Sequence, residues 1–341
     1  MRLHIETRLW RGSILESRHH LQAAVVGLDG RIEAGTEQPS LVTTFRSSAK
    51  PFQLLPLVER GHAERWGWSD EQLAVMAASH TGSRSHRMLV TGILDRLGLS
   101  DRDLACGFHE PLDPEALAEL EAHPELRSPL YDNCSGKHAG MLCLALSEGW
   151  PVAGYERADH PVQQRMRRSV AEVCGVPVDQ VTVAVDGCSA TVFGLPLDAM
   201  ARGFAQLAAA APDGDPRARA LHRIREAMSR HPRVVGGEGR FSTLLMEATG
   251  GRLVAKGGAE GLECVAIPRR GLGVAVKCED GQSRAVPPAT IALLEQLGEL
   301  STEERARLAA ARRPPILNHA GIEVGFLEAV VEILTPSAKI S

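Results

Sequence analysis

The sequence predicts an α/β protein of the α+β kind, with a central, mostly antiparallel sheet covered by helices in one domain spanning 1–341. Two observations carry this. Segments of strand character stand near both chain ends, and the stretch between them is dominated by helical apolar spacing. The 341 residues are 44% hydrophobic and 23% charged, a balance ordinary for a chain that buries a large core.

Ala23-Ala24-Val25-Val26-Gly27 and Arg31-Ile32-Glu33-Ala34 flank Leu28-Asp29-Gly30, a hairpin signal. Apolar residues recur at helical spacing over 51–60, 71–78, 84–97, 114–122, 137–148 and 161–174, with breakers between them. Val181-Thr182-Val183-Ala184-Val185 reads as a compact strand ending in Asp186-Gly187-Cys188. Helices follow near 197–210, 217–229 and 241–248, then strands near 252–256, 263–267 and 272–278. Helices near 286–299 and 302–311 and a strand near 321–333 complete the chain. The Ala/Pro/Asp/Gly stretch 208–216 is short enough to be a helix–helix loop.

A net charge of −4 gives no electrostatic reason to expect a nucleic-acid partner. No stretch approaches a membrane span, and Met1-Arg2-Leu3-His4-Ile5-Glu6 lacks the apolar segment of an export signal. Seven cysteines, an odd number, then lead to the expectation of reduced thiols in the cytoplasm. Cys106, Cys143, Cys174, Cys264 and Cys278 lie in or beside apolar runs and read as small buried side chains. Cys134 and Cys188 sit among Gly, Ser and Asp, where packing does not explain a thiol.

The positive charge is carried by 33 arginines and only five lysines. Arginine stays protonated in proteins, whereas a desolvated lysine can become a neutral amine. The lysines are therefore candidates for chemistry, and three of them fall in small-residue clusters: Ser47-Ser48-Ala49-Lys50, Cys134-Ser135-Gly136-Lys137 and Lys256-Gly257-Gly258-Ala259-Glu260-Gly261. Lys277 and Lys339 gain no such role.

If Ser47 caps a helix, Pro51 falls in its first turn and Ser47 and Lys50 share a face, three residues apart. A neutral Lys50 could then activate the Ser47 hydroxyl, although Ser47 as a plain cap is the better account of this segment taken alone. Ala77-Ala78-Ser79-His80-Thr81-Gly82-Ser83 offers hydroxyls and backbone N–H groups to a ligand, or a turn before helix 84–97. Lys256 leaves a strand into a glycine-rich turn, loosely as the Lys-Thr-Gly of serine β-lactamases does, with Gly257 in place of Thr. Two thiols at Cys134 and Cys188 with a nitrogen would suit zinc. On ligand chemistry alone His138 is the natural third donor, unless the two thiols are unrelated.

Together the runs Arg46-Ser47-Ser48-Ala49-Lys50-Pro51-Phe52-Gln53, Ala78-Ser79-His80-Thr81-Gly82, Asn133-Cys134-Ser135-Gly136-Lys137-His138-Ala139-Gly140-Met141, Val185-Asp186-Gly187-Cys188-Ser189 and Lys256 to Gly261 resemble the inducible, rhizobial-type (class 3) L-asparaginases of the L-asparaginase II family. The resemblance implies a fold similar to serine-dependent glutaminases and β-lactamases, a homodimer, and the Ser–Lys tandems Ser47/Lys50 and Ser79/Lys256. It also implies zinc on Cys134, Lys137 and Cys188, with His138 behind these ligands and Arg46, His80 and Asp186 at the substrate. The activity implied is hydrolysis of L-asparagine: Ser47 attacks, Lys50 takes its proton, Ser79/Lys256 relay, and backbone N–H groups near both serines stabilise the oxyanion. A glutaminase, a β-lactamase-like amide hydrolase, a zinc-water amidohydrolase and a silent amino-acid-binding protein are the alternatives.

Overall fold

The computed structural model describes residues 1–334, so Lys339 lies outside the described residues. Eleven strands are numbered in chain order: β1 Leu3–Arg11, β2 Ile14–Val26, β3 Ile32–Gly35, β4 Val42–Thr44, β5 Thr182–Val185, β6 Thr191–Pro196, β7 Val254–Gly258, β8 Leu262–Ile267, β9 Leu272–Cys278, β10 Pro315–Leu317 and β11 Glu323–Ile333. Eight of them form one sheet in the order β10-β11-β1-β2-β9-β8-β7, with β3 on β2, and all its strand pairs are antiparallel. The expected α+β class is the one observed.

Side chains alternate across this sheet. The face carrying Ile5, Thr7 and Leu21 lies beneath the helix Val286–Gln296, to whose N-terminal side Thr7 Oγ donates a hydrogen bond at Ala285 O, 2.8 Å away. The helix Leu197–Ala209 packs on β9, β2 and β8 from the other face. Phe204 of that helix meets Phe45 and Phe52 with ring centroids 6.4 and 5.4 Å apart. This aromatic cluster anchors the segment between β4 and the helix Lys50–Glu59 to the sheet layer.

A second sheet, β4-β6-β5, contains two strands that the sequence does not announce. Both β4 and β5 run antiparallel to β6, so they end at the same edge. There they release residues 45–50 and the hairpin loop 186–190, which brings two distant motifs together.

The helix Ser135–Glu148 is closely joined to the helix before the Ser79 turn. A Cβ built on Gly136 would lie 2.1 Å from the carbonyl oxygen of Val75, in the helix Asp70–Met76 that leads into the Ser79 turn. Only a glycine permits this approach. Gly136→Ala is expected to push the two helices apart and cost about 3 kcal/mol, the upper range for overpacking. Thermal unfolding should show a lower Tm by several degrees, and an unchanged Tm would refute this joint.

Candidate functional site

Five chain segments converge on one small volume. They are the end of β4, the turn after Asp70–Met76, the start of Ser135–Glu148, the β5–β6 loop and the end of β7. Burial of polar side chains without partners is costly, so the hydrogen bonds here define the arrangement.

Ser79 is its centre. Lys50 Nζ lies 2.9 Å from Ser79 Oγ, and Lys256 Nζ lies 2.8 Å from the same oxygen. Both lysines are buried, at 1% and 2% exposure, whereas Ser79 remains half-buried and reachable. Lys50 also donates to Ala78 O and, at 3.5 Å, to Asn133 O. Lys256 donates to Gly257 O at 2.7 Å. Burial pushes the Lys256 amine well below the usual lysine range, and the positive charge of Lys50 across the serine pushes it the same way.

The Lys50 amine therefore makes no hydrogen bond to the Ser47 hydroxyl, the pair expected from spacing, among the described residues, and the two residues meet only through the Lys50 N–H and the Ser47 carbonyl. A 3₁₀ turn, Arg46–Ala49, precedes the helix, whose N-cap is Ala49, and Ser47 Oγ makes no hydrogen bond among the described residues. Lys50 runs inward because buried carbonyls and the Ser79 hydroxyl supply the partners its charge requires. Pro51 does stand in the first turn, as expected.

Ser47 is held by its neighbours. Ser48 Oγ donates to Lys256 O at 2.7 Å, and Arg46 Nε lies 3.0 Å from Asp186 Oδ1. Arg46 adopts φ 44°, a left-handed conformation that costs a non-glycine residue energy and often marks a functional turn.

The thiols form a second centre beside the first. Lys137 Nζ lies 2.9 Å from Cys188 Sγ, and the Cys134 thiol donates to Asn133 Oδ1 at 3.1 Å. The neighbouring Cys188 thiol, with the cations Lys50 and Lys137, holds the Cys134 thiol well below its ordinary range against the effect of burial. Burial lowers Lys137, but the charges of Cys134 and Cys188 outweigh it and raise the amine overall. Two buried sulfurs and an amine in contact fit a thiophilic metal such as zinc by donor chemistry.

His138, chosen as a ligand on chemistry alone, is fully buried with Nδ1 2.6 Å from the Tyr155 hydroxyl, and its Nε2 has no partner among the described residues. His80, expected at the substrate, is also fully buried. Its Nε2 lies 2.9 Å from Ser135 Oγ and its Nδ1 accepts the Gly82 N–H, so it braces the Ser79 turn and offers a ligand no free ring nitrogen. Backbone donors also differ from expectation. The Ser79 N–H is given to Val235 O and the His80 N–H to Asn133 O.

Sequence reasoning overlooks Asn133, Ser48, Ser242 and Glu263. Only Glu263 carries a signal, as a carboxylate inside a strand whose residues are all buried.

A search of curated protein sequences returns no match. Solved structures similar in fold include Mglu in its native form with 4.3 M NaCl, at 17% identity and TM-score 0.43, covering 84% of this chain and 60% of that one. The chain thus spans 60% of Mglu's length. A β-lactamase from Mycobacterium bovis follows at 16% identity and TM-score 0.42, covering 81% of this chain and 94% of that one. A mutant class C β-lactamase follows at 13% identity and TM-score 0.39, covering 86% and 91%. The family model described as L-asparaginase II matches residues 7–329. The chain belongs to the L-asparaginase II family and is a hydrolase acting on amides.

Proposed function

We propose that this amidohydrolase converts L-asparagine to L-aspartate and ammonia through an acyl-enzyme on Ser79. The observation that carries the reading is the placing of two buried lysine amines on the one Ser79 hydroxyl. Their environments divide the labour. Lys256, pushed toward its neutral form, accepts the Ser79 proton, and Lys50 donates a hydrogen bond to the same oxygen.

Ser79 Oγ attacks the side-chain amide carbon while its proton passes to Lys256. The Lys50 charge offsets the negative charge that develops nearby, since the Ser79 and His80 backbone donors are already engaged. The C–N bond then breaks as Lys256 returns the proton to nitrogen, and ammonia leaves. Water attacks the ester, Lys256 takes a proton from it, and the proton restores the Ser79 hydroxyl as aspartate departs.

The Arg46–Asp186 pair presents opposite charges that suit the α-carboxylate and α-ammonium of an amino acid. Ser47, free of protein partners, is placed to hydrogen-bond substrate. Cys134, Lys137 and Cys188 would hold zinc, which when bound supplies a Lewis-acid anchor for polar groups of the substrate.

Ser79→Ala is expected to lower ammonia release from L-asparagine by about 1000-fold or more, and Ser47→Ala by less. The reverse ranking would move the nucleophile to Ser47. On the same samples zinc should be present in wild type and Ser79→Ala and lost from Cys188→Ser; equal zinc in all three would remove these ligands.

The base must be uncharged, so activity is lost as pH falls through the Lys256 pKa and is present above it. Because that value lies well below the usual lysine range, kcat/KM should rise and level off before the ordinary lysine pKa of about 10.4 is reached. Lys256→Arg imposes a permanent charge and cannot deprotonate, and should lose about 100- to 10,000-fold. A pH profile still climbing through the ordinary lysine range, or an active arginine variant, would rule Lys256 out as the base.

A further inference from the structure

Behind Lys256 lies a buried carboxylate that takes no part in the proposed proton transfers. Glu263, on β8, is 4% exposed and pairs across the strands with Gly257. Its Oε1 accepts the Ser242 hydroxyl at 2.8 Å. Ser242 Oγ in turn accepts the Gly257 N–H at 2.9 Å, and the Gly257 carbonyl receives Lys256 Nζ at 2.7 Å. The chain ends at Ser79, 2.8 Å from that amine.

Gly257 is required by this packing. A Cβ there would lie 2.9 Å from Glu263 Oε2 and 3.3 Å from Ser242 Oγ. The carboxylate and the hydroxyl fill the space a side chain at 257 would take.

We propose that Glu263 is a positioning residue of this centre: through Ser242 and Gly257 it fixes the Lys256 amine on Ser79, and its charge sets the pH at which that amine becomes a base. The proposal rests on the reading of Ser79 as nucleophile and Lys256 as its base.

The groups facing Glu263 are Ser242 from the helix Phe241–Ala248, Arg240 from the loop before it, and Lys256 from β7. Lys256 is faced by Lys50, Glu263, Cys134 and Arg240. Burial raises the Glu263 carboxyl to about 7, with the Ser242 hydrogen bond and the charges of Lys256 and Arg240 pulling back. Above neutral pH it is therefore an anion, and it favours the protonated form of Lys256 against burial, Lys50 and Arg240.

The sign of the test follows. Glu263→Gln removes the anion, so Lys256 loses its proton more readily and the acid limb moves to lower pH. A shift of about one pH unit is expected, a tenfold change in the protonation equilibrium. The plateau rate should fall about tenfold as the amine loses its alignment. Glu263→Asp should restore the wild-type midpoint in part.

Two readouts in parallel separate this proposal from the one it rests on. One is ammonia release from L-asparagine. The other is acylation by p-nitrophenyl acetate, in which the acetyl group passes to Ser79 Oγ, the proton to Lys256, and p-nitrophenolate departs. Wild type inert on L-asparagine, with the acylation midpoint shifted in Glu263→Gln, would end the asparaginase reading and support the positioning role. Wild type active on L-asparagine, with both midpoints unmoved in folded Glu263→Gln, would overturn the positioning role alone. If Glu263→Gln does not fold, Ser242→Ala decides. It keeps the carboxylate but cuts its link to Gly257, and a wild-type plateau there would overturn the proposal.

Discussion

Two lysine amines held on one serine hydroxyl form the constraint on which the rest of this structure depends. Taking two such groups out of water is expensive, and placing them within reach of each other adds repulsion. The arrangement persists because the amines are not equivalent. Lys50 has carbonyl partners at Ala78 and Asn133 as well as the serine hydroxyl. Lys256, equally buried on β7, is driven toward neutrality by that burial and by the Lys50 charge facing it. In the proposed mechanism this one buried pair supplies an electrostatic stabiliser and a base, as the pairing of titratable groups in unlike environments does generally.

The fold serves this pair by bringing chain ends together. The small sheet β4-β6-β5 delivers Arg46 and Asp186 to the same edge, where they pair at 3.0 Å. Helix Ser135–Glu148 sits against the Val75 carbonyl because residue 136 is glycine, and this sets both Lys137 and Asn133 in place. Lys50 donates to Ser79 and to the carbonyl of Asn133, whose side-chain oxygen accepts the Cys134 thiol at 3.1 Å, so the sulfur centre and the serine centre share a wall. A change at either is expected to be felt at the other.

Much of the fold is legible in the sequence because helix ends carry their own punctuation. Asp113 caps the helix Pro114–Ala122 through the Ala116 N–H, and Gly98, Gly149 and Gly175 close three helices in the left-handed conformation. Strands lack such marks. β4, β6 and β10 are three to six residues long, too short for a period to show. β1 carries His4, Glu6, Arg8 and Arg11, and becomes a strand through pairing on both sides. The site was legible as a set of residues but not as a set of partners. Three-residue spacing favours Ser47 with Lys50, yet tertiary packing sends Lys50 to Ser79, 29 residues away. The scarcity of lysine marks Lys50, Lys137 and Lys256 correctly as a convergent group, but not the charge each carries. Lys277, which sequence reasoning passes over, is buried as well, with its amine on its neighbour's carbonyl at Cys278.

The most direct test of the central claim is to find where the substrate becomes attached. Enzyme turning over L-asparagine is quenched in acid, digested, and its peptides are read by mass spectrometry. An aspartyl ester on the peptide carrying Ser79 is the result expected from two amines on that hydroxyl. An ester on the peptide carrying Ser47, or steady ammonia release with no ester on either serine, would contradict it.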